Sequence, residues 1–211
     1  MNRMDMNLVS SQHSKKVFET TQFEKKDKEK TVGHIKLEKP IEVLFEGLNL
    51  DVYKKLTPKE VSLDLSQIKE SFCYLFVGHW MQGSYGHDRK NVGLLVKSFL
   101  ETFKNQKQKP ALILKASVGS SSYVSREELL KRIKTLRKTV NSSNLPNIYV
   151  MNGDLSDGEI NELYNHPKVK AMLSFTKGEG FGRPLLEFSA IGKPIVASGW
   201  SGQVDFLHPE K

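Results

Sequence analysis

Short apolar runs alternate with longer amphipathic segments from residue 72 onward, and this alternation constrains the fold more than any other feature of the chain. The runs are FCYLFVG, ALILKAS, NIYVMNG, KAMLSF and PIVAS. Each is bounded by turn-forming or polar residues, and their length and composition are typical of buried strands. Because strands and helices take turns so regularly, we expect an α/β fold in which helices cover both faces of a doubly wound parallel sheet.

Helical spacing and capping residues predict the helices between these strands. One helix is expected from Asn91, because apolar residues recur on one of its faces; they are Val92, Leu95, Val96, Phe99 and Phe103. Ser125 with Glu128, and Ser156 with Glu159, are capping-box patterns that predict two further helix starts. The charged run EKKDKEK, at residues 24–30, is typical of a loop or linker.

Ligands of such sheets bind beyond the carboxyl ends of the strands, so the loops at that edge are the candidate sites. The loop after the first strand reads GHWMQGSYGHDRKN and carries Arg89 and Lys90 just before a helix. These two are either ordinary loop cations or ligands for an anion. Trp80 and Tyr85 in the same loop either stack on a base or an acceptor, or pack locally.

The loop GEGFGRPLLE, at residues 178–187, carries the most chemical information. Its three glycines let the backbone approach a ligand closely, and Pro184 suits the first position of a helix. The amino end of that helix and the bare amides before it would attract phosphate. Glu179 and Glu187 could each accept both hydrogens of a vicinal diol such as ribose. A glycine turn with a capping acid would explain GxGxG alone, but the full combination favours a sugar-nucleotide site.

This loop resembles the signature of the retaining glycosyltransferases of family 4, E-x7-E, usually written EGFGxPxxE. Glu179 and Glu187 have that spacing, and GKPIVASGWSGQVDFL resembles the family's next strand and the phosphate-binding pair after it, here Ser201 and Gly202. The resemblance implies that the chain is the C-terminal, Rossmann-like half of a GT-B glycosyltransferase. It also implies sugar transfer, with retention and without a metal, from a nucleotide sugar to an acceptor hydroxyl.

The same resemblance assigns roles to individual residues. The predicted catalytic residues are Glu179, which would bind the donor sugar, and Lys90 with Arg89, which would bind the diphosphate. His79 stands where the family has an arginine, so Arg89 is expected to substitute for it. Glu187 would bind the ribose. The other donor-binding residues that the resemblance implies are Gly78, Gly180, Phe181, Gly182, Ser201 and Gly202. Fixed cations and amides of this kind stabilise the charge of a departing diphosphate.

The domain organisation follows from the segment IEVLFEGLNLDVYKK, at residues 41–55. It resembles the family's crossing from the first domain into the second, with Asn49 where an acid is usual. We therefore expect residues 1–40 to be a remnant of the acceptor domain with a charged linker, and residues 41–211 to be the donor domain. The chain is expected to be truncated at both ends, since residues of the first domain and the closing elements of the family are missing. Alone it is expected to bind nucleotide or nucleotide sugar but to turn over poorly.

Charge and composition limit the classes of binding partner and the cellular compartment that we expect. The formal net charge of +8 favours anionic partners. Most of the lysine clusters are interspersed with acidic residues or lie on predicted helix faces, so we expect them to be solvent-exposed surface. A single cysteine, Cys73, excludes an internal disulfide and lies in an apolar run, so we expect a buried strand residue and a cytoplasmic protein. The start of the chain lacks the apolar core of a signal peptide. No metal site is expected from His79, His87 and Asp88, because their spacing is not that of ligands.

Three alternatives to a family 4 enzyme stay open at this point. A sugar-nucleotide epimerase with the GT-B architecture is disfavoured by the E-x7-E pattern. A non-catalytic module could use the basic surface to hold nucleotide, nucleic acid or another polyanion. A phage-type DNA glucosyltransferase would combine transfer with a polyanionic acceptor. The expected partner is a nucleotide sugar, no cofactor is expected, and the acceptor could be glycan, lipid, protein or nucleic acid, with peripheral membrane contact left open.

Overall fold

The computed structural model of the chain describes residues 1–81 and 85–208, which form two compact units. Unit 1 comprises Met1–Gly47, Gly178–Gly182 and Gly199–Lys211, and unit 2 comprises Leu48–Lys177 and Arg183–Ser198. Residues 82–84, which belong to the predicted glycine-bearing loop, and residues 209–211 lie outside the described residues. The predicted domain boundary at residue 40 stays a prediction.

Unit 1 is built from short elements. They are β1 (Asn7–Val9), α1 (Gln12–Thr20), β2 (Gln22–Asp27), β3 (Lys30–Lys36), β4 (Ile41–Val43) and a 3₁₀ helix (Gly202–Asp205). Strand β1 pairs in parallel with β4, and β2 pairs antiparallel with β3. Helix α1 begins after Ser11, whose hydroxyl accepts a hydrogen bond from the Ser14 amide and so satisfies one of the free donors of the first turn.

The prediction of a loop or linker over residues 24–30 is wrong, because most of this run belongs to the hairpin of β2 and β3. The chain turns at Lys28, whose φ is 54°, and β3 begins two residues later. Every residue of β2 is exposed, so no apolar alternation marks it as a strand. Its main-chain pairing with β3 therefore leaves no hydrophobic signal in the sequence.

Unit 2 is a five-stranded parallel sheet with helices between its strands. Its elements are β5 (Cys73–His79), α2 (Val92–Phe103), β6 (Ala111–Ser117), α3 (Tyr123–Lys138), β7 (Ile148–Met151), α4 (Asp157–Asn165), β8 (Val169–Ser174), α5 (Arg183–Ser189) and β9 (Ile195–Ala197). The strand order is β7-β6-β5-β8-β9: β6 and β7 are added on one side of β5, and β8 and β9 on the other side. This order confirms the predicted α/β class, and it puts a topological switch point beside the carboxyl end of β5.

The main core of unit 2 lies between the sheet and helices α2 and α3. Its members include Phe76, Leu112 and Leu114 from the strands, Val96 and Phe99 from α2, and Leu129 and Ile133 from α3. Cys73 of β5 is completely buried, as predicted, and this burial raises the pKa of its thiol to about 11. Within residues 1–81 and 85–208, no helix has the length and apolar character needed to cross a membrane.

The helix starts were predicted with mixed success. The capping box of Ser156 and Glu159 at α4 is confirmed. The box predicted at Ser125 is wrong, because α3 begins two residues earlier and Ser122 accepts from the Ser125 amide instead. A run of three serines precedes α3, so the sequence offers several caps of similar quality. Helix α2 begins at Val92 rather than Asn91.

Candidate functional site

A cavity of about 370 Å³ lies at the carboxyl ends of β5 and β6 in unit 2, the edge at which the sequence predicts a ligand. Gly78 and His79 come from the end of β5, Lys115 and Ser117 from the end of β6, and Arg89 with Lys90 from the loop before α2. The structure thus brings three residues with predicted roles, Gly78, Arg89 and Lys90, to one cavity. Its size is within the range of small-molecule sites.

Three cationic side chains give this cavity its electrostatic character: Arg89, Lys90 and Lys115. Burial lowers the pKa of Lys115, and the nearby Asp154 opposes that effect. The Lys115 ammonium donates to the carbonyl of Gly153, and Asp154 accepts from the Ser121 hydroxyl at 2.6 Å. The single carboxylate in the lining is therefore partly engaged, and the cations make the cavity suited to an anionic ligand.

Gly78 allows two side chains to approach the end of β5. A Cβ atom at this position would lie 3.1 Å from the Phe76 ring and 3.7 Å from Cε of Lys90. His79, which stands where the family's arginine is expected, has its Nδ1 atom 2.9 Å from the Ser117 hydroxyl on the neighbouring strand. This contact ties the His79 ring to β6.

The loop that carries Arg89 is held by hydrogen bonds to the segment after β8 and to the first residue of α2. The Lys177 amide donates to the Arg89 carbonyl at 2.9 Å, which connects this loop to the segment after β8. Asp88 is buried and accepts from the Val92 amide at 3.1 Å, so it caps α2. In the part of the chain that the structure describes, no group of three or more His, Cys, Asp and Glu residues could hold a metal ion.

Glu187 lies on α5 with its carboxylate held by two side chains of unit 2. Its Oε2 atom accepts from the Tyr164 hydroxyl at 3.0 Å, and Oε1 accepts from Nε of Arg183 at 2.9 Å. Burial, followed by the charge of Glu187, raises the pKa of Tyr164, and the hydrogen bond to Glu187 raises that of Arg183. Each carboxylate oxygen has further lone-pair directions, so these two bonds fix the group without saturating it.

Glu179 lies in unit 1, where its main chain is held from both sides by the segment around Ser201. The Glu179 amide donates to the Ser201 hydroxyl at 3.0 Å, and the Glu179 carbonyl accepts from the Gly202 amide at 3.0 Å. The Ser201 hydroxyl also donates to Gln203 at 2.8 Å. The side chain of Ser201 therefore supports the main chain at Glu179, and the donor-binding role that the sequence predicts for this residue stays a prediction.

The amino end of α1 holds the next residue of the same loop. Hydroxyls of Ser11 and Ser14 donate to the Gly180 carbonyl, at 2.5 and 3.2 Å. Gly182 has a φ of 98°, a conformation that favours glycine. Phe181 is buried and packs against Phe45, with ring centroids 4.8 Å apart. We call residues 178–182 the glutamate loop; it is held by α1 and by residues 201–202.

The family assignment follows from residues 84–211, which match the family model described as "Glycosyl transferases group 1". The chain belongs to the group 1 glycosyltransferase family. The matched segment contains both glutamates of the E-x7-E motif, as well as Arg89 and Lys90. No curated protein sequence matches this group 1 glycosyltransferase at a significant level.

Solved structures with the same fold are similar to this group 1 glycosyltransferase at low sequence identity. The C-terminal domain of a glycosyl transferase group 1 family protein (LpcC) from Francisella tularensis has a TM-score of 0.52 and 14% identity, over 78% of this chain and 76% of that one. Alr3699/HepE from Anabaena, in complex with UDP and glucose, has a TM-score of 0.60 and 20% identity, over 98% of this chain and 48% of that one.

A third similar structure is described as trehalose-6-phosphate from E. coli bound with UDP-2-fluoro glucose. Its TM-score is 0.57 at 14% identity, over 95% of this chain and 47% of that chain. The chain thus spans about half the length of the Anabaena and E. coli proteins. At these identities the likeness shows the fold, and it confirms a Rossmann-like domain of the GT-B type.

Sequence reasoning missed several residues of these sites. Lys115 and Asp154 line the cavity, and Ser11 holds the glutamate loop. A charged residue in the otherwise apolar run ALILKAS was a signal for Lys115, because an unpaired charge is rarely left in a strand that is buried on both faces. Nothing in the sequence pointed to Ser11, since its partner lies 169 residues away.

Proposed function

We propose that this chain binds the donor of a retaining family 4 glycosyltransferase, which transfers a sugar from a nucleotide sugar to an acceptor hydroxyl. The cation-lined cavity of unit 2 is the observation that carries this proposal, because Arg89, Lys90 and Lys115 converge at the carboxyl edge of a Rossmann-like sheet. A nucleoside diphosphate has the matching charge. Fixed cations stabilise such a leaving group as its charge develops.

The roles of the two glutamates are part of the same proposal. Glu187, fixed by Tyr164 and Arg183, would accept hydrogen bonds from the ribose hydroxyls. Glu179, fixed through its main chain, would accept from hydroxyls of the donor sugar. Main-chain amides of the two glycine-bearing segments, 178–182 and 201–202, would add donors for the ligand. The cations would neutralise the diphosphate, so the proposal includes no metal and no cofactor.

A thermal-shift panel tests donor binding. UDP-, GDP- and ADP-sugars are compared with duplex DNA, and UDP-sugars come first because two similar structures contain UDP or a UDP-sugar. A ligand at a hundred times its Kd adds about 2.7 kcal/mol to the free energy of unfolding, which raises the midpoint by several degrees. A rise with one class of nucleotide sugar supports the proposal. A response to DNA alone would favour a polyanion-binding module.

Lys90→Ala locates the binding energy, and Lys131→Ala is its matched control. Both substitutions remove one lysine charge, but Lys131 is exposed on α3 and does not line the cavity. Lys90→Ala should weaken nucleotide-sugar binding about tenfold to a hundredfold, as expected for a lost charge-assisted hydrogen bond, whereas Lys131→Ala should leave it unchanged. The rise in midpoint should also persist in EDTA. Equal effects of the two substitutions, or loss of the rise in EDTA, would contradict the proposal.

A further inference from the structure

Trp200 is a large aromatic side chain beside the glutamate loop that remains half exposed. Its relative exposure is 50%, whereas Ser201, the next residue, is 3% exposed. Tryptophan is mostly buried in folded proteins, so an indole held at the surface next to a candidate site requires an explanation. The chain has only one other tryptophan, Trp80, which is 4% exposed and lies under the guanidinium of Arg132.

The orientation of the Trp200 ring is fixed by its neighbours in unit 1. The His13 ring meets it edge to face, with centroids 5.2 Å apart and an interplanar angle of 88°. Two atoms of the indole lie 3.8 and 3.9 Å from the point where a Cβ on Gly178 would stand. The indole therefore packs against the amino end of α1, which holds the Gly180 carbonyl, and against Gly178, the first residue of the glutamate loop.

These contacts restrict the rotation of the half-exposed Trp200 side chain. The main chain on its carboxyl side is anchored, because Ser201 and Gly202 both hydrogen-bond to Glu179. A ligand that stacks on the indole would therefore lose little affinity to the ordering of the protein. The negatively polarised face of the indole attracts C–H groups that carry partial positive charge.

We propose that Trp200 and His13 form a subsite for a pyranose ring beside the glutamate loop. A pyranose presents C–H groups on a ring face and hydroxyls at its edge, so the indole would take the face while the imidazole of His13 and nearby loop groups take hydroxyls. The proposal rests on the proposed function, because a glycosyltransferase binds the sugar of its donor and, where its acceptor is a glycan, a second sugar. The ring belongs either to the donor or to the acceptor, and the test separates these sources.

Intrinsic fluorescence reads this subsite directly in a Trp80→Phe variant, where Trp200 is the sole tryptophan. The variant is titrated with UDP-glucose against UDP, with GDP-mannose against GDP, and with a panel of free oligosaccharides that includes maltotriose and chitotriose. A saturable change with a nucleotide sugar beyond that of its nucleotide assigns the subsite to the donor. A saturable change with a free oligosaccharide assigns it to the acceptor.

Calorimetric titration of substituted chains gives the second readout. Trp200→Ala should weaken binding of the responding sugar about tenfold, the size of one aromatic contact, and Trp200→Phe should restore it to within about threefold. Binding of the nucleotide without its sugar should not change. Tyr123→Ala is the matched control, because Tyr123 is an aromatic residue of unit 2 with 75% exposure.

One outcome overturns the subsite without touching the proposed function. This outcome is a folded Trp80→Phe variant whose midpoint rises with nucleotide, but whose Trp200 emission responds to no sugar and whose Trp200→Ala derivative binds all of them unchanged. Conversely, a sugar-dependent response without any nucleotide binding would support the subsite and refute the donor proposal.

Discussion

Gly202→Ala is the sharpest single test of the glutamate loop, because the substitution adds one atom where the structure has no space. The added Cβ would lie 2.3 Å from the Gly180 carbonyl oxygen, 2.6 Å from its carbon and 2.8 Å from the Glu179 oxygen. These neighbours are main-chain atoms and cannot rotate away. The separation from the Gly180 oxygen would have to increase by about 0.7 Å, from 2.3 to the 3.0 Å that real Cβ contacts respect.

The displacement has two costs that can be estimated. Overpacking against backbone costs about 1–3 kcal/mol, and weakening the hydrogen bond from the Gly202 amide to Glu179 costs about 1 kcal/mol. We therefore expect Gly202→Ala to lower the free energy of unfolding by about 2–4 kcal/mol. Urea unfolding is followed by Trp200 emission in a Trp80→Phe background, because Trp200 lies in unit 1. The loss of about 2–4 kcal/mol should lower the urea midpoint by about 1–2 M.

Gly199→Ala provides the control in the same segment. A Cβ at Gly199 would meet nothing within 4 Å, so its unfolding midpoint should stay close to that of the parent. Binding of the responding nucleotide sugar should weaken at least tenfold in Gly202→Ala, because Glu179 moves with its main chain, and should be unchanged in Gly199→Ala. If the two variants have the same stability and the same affinity, the close packing of Gly202 against Gly180 is refuted.

Three further predictions concern unit 2. Ser156→Ala removes a capping box and should lower the free energy of unfolding by about 1 kcal/mol in urea; no loss would mean that water replaces the cap. Lys193→Met leaves three carbonyls, now 2.6–3.0 Å from the ammonium, without that donor, so a loss of at least about 2 kcal/mol is expected, and an unchanged midpoint would refute it. Since burial raises the pKa of Cys73 from 9.0 to about 11, its contribution to stability should be complete below pH 9 and disappear as the pH rises to 11. A stability profile parallel to that of Cys73→Ala would contradict this.

The fold of unit 2 could be predicted from the sequence because its elements bury continuous apolar surface. ALILKAS becomes β6, and the apolar face predicted for the helix after Asn91 is the buried face of α2. The hairpin of β2 and β3 could not be predicted, since its strands are almost wholly exposed and their stabilising hydrogen bonds come from the main chain. The predicted cap of α3 was wrong for a different reason: several serines lie close together there, and the sequence does not distinguish which of them is the cap.

The candidate site was predictable only where its residues lie close together in the sequence. The spacing from Glu179 to Glu187, and the cations before α2, lie within short segments that a motif can describe. The supports of these groups come from distant positions: Ser11 reaches Gly180 over 169 residues, and Tyr164 reaches Glu187 over 23. No periodicity marks such contacts. Trp200 was not recognised as a candidate, since its exposure depends on how His13 and the loop before it fold.

The carboxylate of Glu187 and the main chain of Glu179 are held by different groups, and these contacts predict how each residue responds to substitution. The carboxylate of Glu187 depends on the side chains of Tyr164 and Arg183, so Tyr164→Phe should disturb its orientation without changing the backbone. Glu179 depends on main-chain contacts through Gly202 and on the Ser201 hydroxyl, so its position is sensitive to steric change in the backbone. If Glu187 binds the ribose and Glu179 the sugar, Tyr164→Phe should weaken UDP and UDP-glucose equally. Gly202→Ala should instead weaken UDP-glucose more than UDP, and the opposite pattern would exchange the two assignments.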